Sequence, residues 1–591
     1  MRCLTTLIFI TLCTGPSFAA IIHVPAEFST IQLAIDHAGS GDTVIVQPGT
    51  YIENISFKGK KNLTVRSSVV TKPEYFTIDG NQSGAVVRFT GLETPTTVLW
   101  GFTITNGNNA DSDGGGIRCE VGASPTIIEN IIGYNSCVGN GGGIWCDVYE
   151  SSPTITANSI HNNYAEGNGG GIFTQGYMES MTVHVNIPVI QKNIIVSNRA
   201  DNYGGGIFCG NYSAPVIFGN SLLGNESDYC GGAIAGLESR PVIIGNRMMN
   251  NIAYYAGGGI FLDSLVFPDG EIFEIRVDNN LITCNSSENG GGVCMMNPDT
   301  DIMEFRNNTI TLNRADSFGG GLFYEPGGNV DAYLNIIDTI LWENTASDGY
   351  EIYHGAMNQK FAIDYSDVKG GGSAPFVVNV DPDTWGSSMI DSDPLFVEGL
   401  CGLYYLSQVD AGQATDAPCI DAGSDLASYL GMDSFWTRTD EELDSGTVDM
   451  GFHYGPHSSG WTVSFYSDVD TVSQSIGGSV EFTLNAGLNH ASRNYIILGS
   501  LSGSYPGTPL PKGYAVLPLN WDIFTDLVLS LLNTYPLTHF LSVLDSRGSA
   551  KGAQLNFAPV PGSSGLTMYF AYAINNPWDF VSNPLVVTII P

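Results

Sequence analysis

The chain has 591 residues, with 22 Lys and Arg against 59 Asp and Glu, a formal net charge of −37. That balance excludes the basic surface a nucleic-acid partner needs; 43% hydrophobic and only 14% charged residues exclude a disordered chain. Glycine is abundant, 72 residues, yet it follows no Gly-X-Y period, so collagen is excluded as well.

In chain order, the first element is MRCLTTLIFITLCTGPSFAA, with Arg2 near the start, an apolar run from Leu4 to Leu12, and small residues at Ser17 and Ala19. This reads as a secretory signal peptide over 1–19, cut after Ala19. Its apolar run is too short to stay as a membrane span, and no later run approaches that length. The mature chain is therefore expected to be secreted or at the cell surface, with no transmembrane span. Removing Cys3 and Cys13 leaves nine cysteines, an odd number. In an oxidising compartment Cys401 and Cys419, flanking a loop that closes a domain, are the expected disulfide.

Next comes a segment apolar at Ile31, Ala34, Ile35 and Ala38, the spacing of a short amphipathic helix over Thr30–Ala38. Strand-like runs follow at Thr43, Leu63, Phe76, Val86 and Phe102. A repeat then takes over. SPTIIENIIGYNSCVGNGGGIWC, SPTITANSIHNNYAEGNGGGIFT and IPVIQKNIIVSNRADNYGGGIFC begin at Ser124, Ser152 and Ile187. The first Asn of each copy falls at Asn130, Asn158, Asn193, Asn220, Asn246, Asn280 and Asn308, with spacings of 28, 35, 27, 26, 34 and 28. The period is about 27 residues with two inserted loops.

Within each copy short Ile- and Val-rich runs alternate at period two, which is strand chemistry. A unit of that size cannot bury its own apolar face, so copies must stack as coils of a parallel β-solenoid. Ile117, Ile144, Ile172, Ile207, Ile234 and Ile260 are expected to stack inside as one ladder. A second Asn column, five residues on, runs from Asn135 to Asn313. Both columns are expected at turns, where Asn tolerates left-handed backbone and its amide bonds to neighbouring coils. Each Gly triplet is read as turn geometry and close backbone approach.

These repeats resemble those of right-handed parallel β-helices of the pectate-lyase-like superfamily. The GGGI element paired with I-x-x-N also resembles polymorphic outer-membrane protein repeats. STIQLAIDHAGSGDTVIVQPGTYIENISF resembles the opening of secreted β-helix proteins, and APCIDAGSDLASYLG with TVDMGFHYG resembles their closing segment. The resemblance implies an all-β fold over 20–455, a right-handed parallel β-helix with the N-terminal helix as its cap. Lyases, hydrolases, epimerases and adhesins share that fold, so it does not select a function. A linker is expected at 456–460. Residues 461–591 lose both the Asn columns and the Gly triplets and read as a C-terminal β-sandwich.

Two stripes carry the functional expectations. Trp145, Phe173, Phe208, Phe261 and Phe323 each follow the inward position by one residue, so alternation puts them on the outer face of one sheet. An exposed aromatic stripe there would stack on sugar rings, with Tyr149, Tyr177 and Tyr212 flanking it. A polysaccharide or cell-surface glycan is the partner it fits, in binding or adhesion. The second stripe is acidic: Glu166, Asp201 and Asp228 would suit Ca²⁺, although a solvated acidic edge accounts for the same column. Were the protein a polysaccharide lyase, epimerase or hydrolase instead, Arg199 would be its base beside those carboxylates. Arg314 and Asp316 repeat the R-A-D text of Arg199 and Asp201, which favours turn chemistry.

Overall fold

A computed structural model describes residues 19–590 except 92, 111, 148, 180–181, 264–273, 298–301, 327–332, 356–359, 400–401, 456–464, 468–470, 487–489, 491, 503–507, 511–515, 518, 546–548, 576–579 and 583–584. Residues 1–18 of the expected signal peptide, the expected linker and Cys401 thus lie outside the described residues.

The repeat region folds as the expected parallel β-helix. Its coils contribute to three long parallel sheets of 13, 12 and 12 strands and to a narrow fourth of eight. Copies pair in register, so like side chains stack: Ile127 on Ile155 on Ile190 in the first sheet, Ile132 on Ile160 on Ile195 in the second. In the third, Ile144, Ile172, Ile207, Ile234 and Ile260 form the expected inner ladder, fully buried. At one end the helix Ile31–His37 buries Ile31, Ala34 and Ile35 over the first coil, with the Thr30 hydroxyl accepting from Leu33 N–H.

Both Asn columns point inward and form ladders. Asn130 Oδ1 accepts from Phe102 N–H at 3.0 Å, and its amide donates to Asn158 Oδ1 at 3.1 Å and to Leu99 O at 3.1 Å. The left-handed backbone sits one residue earlier than expected, at Glu129, Ala157, Lys192 and their equivalents, with φ of 52°, 54° and 55°. The Asn itself is needed for its amide, which the sharp bend before it turns into the core. The middle glycine of a triplet, as at Gly170, Gly205 and Gly291, lies on the fourth-sheet strand of the next coil; a β-carbon at Gly205 would come 2.3 Å from Glu226 O.

Residues 396–399 and 402–454 do not cap the far end. They run back along the outer face of the second sheet, where Tyr404, Tyr405, Trp436, Phe452 and Tyr454 pack with Leu281. Asn279 fixes them there, accepting from His453 N–H at 2.6 Å and donating to His453 O at 3.0 Å. Cys419 is a buried thiol that donates to Asp367 Oδ2 at 3.2 Å.

From residue 465 onward the strands form separate sheets of four and six, largely antiparallel, around their own core of Val480, Phe482, Leu484, Ile497, Phe570 and Ile589. One element departs from the all-β expectation: the helix Ile523–Ser530, started by Asp522, whose carboxylate accepts from Phe524 and Thr525 N–H.

Candidate functional site

The aromatic stripe is not exposed. Alternation does turn Trp145, Phe173, Phe208, Phe261 and Phe323 away from the inner ladder, but Phe173 is 2% exposed and Trp145 8%. They form a second, outer core with Tyr203, Cys230, Ala235, Ala256 and Cys294. The cover comes from the repeat itself. Each coil swings out after its fourth-sheet strand and returns through the Gly triplet, laying Tyr203, Cys230 or Ala256 against the rings. Phe173 and Phe208 stack at 5.3 Å, and the Arg118 guanidinium lies 4.8 Å above the Trp145 ring. No sugar ring can reach that face. Aromatic rings do reach the surface elsewhere, at the turn: Tyr229 stacks on Tyr255 at 5.1 Å, and both are exposed. The flanking Tyr149 and Tyr177 meet at 5.3 Å.

One arginine ties part of the acidic column together. Arg199 Nη2 donates to both Asp228 oxygens, at 2.8 and 3.0 Å, while its Nε lies 3.7 Å from Asp201 and its Nη1 3.7 Å from Glu226. Asp201 also accepts from the Tyr164 hydroxyl at 2.7 Å, and Glu166 is exposed. Among the described residues no three His, Cys, Asp or Glu side chains are grouped to hold a metal ion.

A cavity of about 340 Å³ opens at a different place, between the outer face of the first sheet and residues 429–435. The sheet wall comes from the consecutive strands Glu274–Asp278 and Ile302–Arg306, which read E-I-R-V-D and I-M-E-F-R. Alternation buries Ile275, Val277, Met303 and Phe305 in the solenoid and turns Arg276, Asp278, Glu304 and Arg306 outward. Register then sets Arg276 opposite Glu304 and Asp278 opposite Arg306. The result is a square of alternating charge. Arg276 Nη2 donates to Asp278 at 2.5 Å, and Arg306 donates through Nε and Nη2 to the two oxygens of Glu304 at 2.9 and 3.1 Å. The hydrogen-bonded Glu304 holds the Arg306 guanidinium above its ordinary value, while burial pushes the Asp278 carboxyl up against the pull of Arg276.

Phe218 and Ile244, on the two preceding strands, extend this wall with apolar surface. The opposite wall is Tyr429, Leu430, Gly431, Met432 and Phe435. It begins on the short helix Ala427–Leu430, ended by Gly431 at φ 74°, and is anchored by Ala427, Met432 and Val448. Tyr429 is 76% exposed, so its ring stands clear at the rim. None of the stripe residues expected from the sequence lines this cavity. Its residues lay in plain text as two outward pairs of opposite sign in neighbouring coils, and that pairing was the available signal.

No family model and no curated protein matches this sequence. Among solved structures the chain is similar to a PL6-family alginate lyase, AlyGC, at 12% identity and a TM-score of 0.34, over 66% of this chain. It spans 55% of that protein's chain. It is also similar to a pectin methylesterase from Aspergillus niger in two deglycosylated forms. One shows 13% identity and a TM-score of 0.21 over 58% of this chain and 91% of the enzyme; the other shows 11% and 0.23 over 64% and 98%. The strand register establishes the fold itself: a parallel β-helix followed by separate sheets.

Proposed function

We propose that this is a secreted or cell-surface polysaccharide-binding protein and that the cavity beside Arg276 and Arg306 holds the glycan. The observation that carries the reading is one cleft combining fixed hydrogen-bonding groups with a projecting aromatic ring. Sugars present both hydroxyls and an apolar C–H face, so recognition needs polar groups of set direction beside a flat apolar surface. The charged square supplies the first, because each member is held by a neighbour. Tyr429, Phe435 and Phe218 supply the second. Among the described residues no helix is long and apolar enough to cross a membrane.

Retention on a glycan array tests this. Wild-type protein is expected to bind a subset of polysaccharides, and Tyr429→Ala to lose about tenfold in affinity with an unchanged melting temperature. Tyr429 projects from the fold, so its loss removes a contact with ligand rather than core packing. Wild-type protein that binds no glycan, or a Tyr429→Ala variant that binds as well as wild type, would overturn the reading.

A further inference from the structure

Resting on the polysaccharide reading, we infer that the cavity selects a neutral, hydroxyl-rich glycan and rejects uronates. The charge count comes first. A site for a uronate carboxylate needs a cation with unspent charge. Here Arg276 is matched by Asp278 and Arg306 by Glu304, and the four formal charges sum to zero. Asp338 also acts on Arg306, and among the described residues no Lys or His lines the cavity. A carboxylate entering between these walls would stand beside two anions whose counter-charges are already engaged, on a chain of net charge −37.

The second observation is the sign of the unmet hydrogen bonds. Asp278 and Asn307 both line the cavity at 3% and 1% exposure, and both are oriented by their other atoms: Asp278 Oδ2 by Arg276, Asn307 Nδ2 by Asp449 O at 3.1 Å. Their remaining oxygens, Asp278 Oδ1 and Asn307 Oδ1, lie buried just behind the cavity surface and meet no donor among the described residues. Both are acceptors. A buried acceptor without a partner is costly, and the partner that relieves it must bring a hydrogen. A sugar hydroxyl does so, whereas the carboxylate that distinguishes a uronate brings only more acceptors where the neutral hexose carries a donor.

The test is calorimetry of the full mature chain with oligosaccharides of equal length. The neutral probes are cello-, xylo-, manno- and laminari-oligosaccharides; the acidic probes are oligogalacturonate and oligoalginate. At least one neutral probe is expected to bind about tenfold more tightly than either uronate, with an affinity that added NaCl leaves unchanged. Glu304→Gln, which removes the anion that holds Arg306 most strongly, is expected to raise uronate affinity about fivefold at unchanged melting temperature. Uronate binding tighter than every neutral probe, weakened by salt and lost in Arg306→Gln, would overturn the selectivity while leaving polysaccharide binding in place. No binding of any probe would overturn both.

Discussion

Replacing Asn225 with alanine is expected to cost roughly 3–5 kcal/mol of stability, a large effect for a single polar substitution. The side chain sits mid-ladder and is buried. Its Oδ1 accepts from Asn198 N–H at 3.1 Å and from the Asn198 amide at 3.0 Å. Its own amide donates to Ile195 O at 2.8 Å and to Asn251 Oδ1 at 3.0 Å. Alanine breaks all four and strands donors and a carbonyl where water cannot reach. Asn225→Asp is expected to be at least as damaging, because it replaces the donating amide with an acceptor oxygen that faces two acceptors. Asn202→Ala is the control: that side chain is exposed, with one bond at 3.4 Å to Glu166 O, and should shift stability by less than about 0.5 kcal/mol. Urea denaturation midpoints read the difference. A shift for Asn225→Ala no larger than for Asn202→Ala would show that the ladder does not hold the coils.

The second large effect is on pH. Glu351 ends the ladder, accepting from Asn344 N–H at 3.2 Å and from the Asn344 amide at 2.5 Å, and burial pushes its carboxyl up to about 8 despite the pull of Asn344 and Lys369. Burial likewise raises Asp367 to about 7 and Asp338 to about 6. These folded values lie above the unfolded ones, so the folded chain holds extra protons. Their contribution is complete below about pH 4 and is lost as pH rises through 6, 7 and 8. His161 works the other way, since burial lowers it to about 4 and its contribution falls away only below about pH 6.5. Between pH 6.5 and 8 the carboxyls therefore act unopposed by it, and stability is expected to drop by roughly 2–3 kcal/mol across that window. Glu351→Gln keeps one of the two acceptors toward Asn344 without the titration and should remove more than half of the slope. Stability that rises between pH 6.5 and 8 would contradict the burial of these groups.

The solenoid was legible because its determinants are local and repeated. Ile144, Ile172 and Ile207 recur at the same place in each copy, and register follows from stacking like on like. The fate of Phe173 and Phe208 was not legible for a related reason. Alternation tells which side of a strand a ring leaves from, not what lies over it, and the cover is the return of the same coil through Gly204–Gly206. The triplets did announce close backbone approach; what they approach depends on the neighbouring coil. The cavity was least legible. Its walls meet through long-range contacts such as Asn279 with His453, 174 residues away in sequence, and Asn307 with Asp449, and nothing periodic marks them. The helix Ile523–Ser530 had a local signal, Asp522 followed three residues later by Thr525, in a stretch otherwise read as strands and turns.

Amide hydrogen exchange, followed with and without an oligosaccharide that the protein retains, locates the glycan on the molecule. The cavity site predicts slowed exchange across 427–435, the exposed wall, with smaller protection at 274–278 and 302–306 and none at 199–203 or 226–229. Protection along the exposed rings of Tyr229 and Tyr255, with 427–435 unchanged, would contradict it.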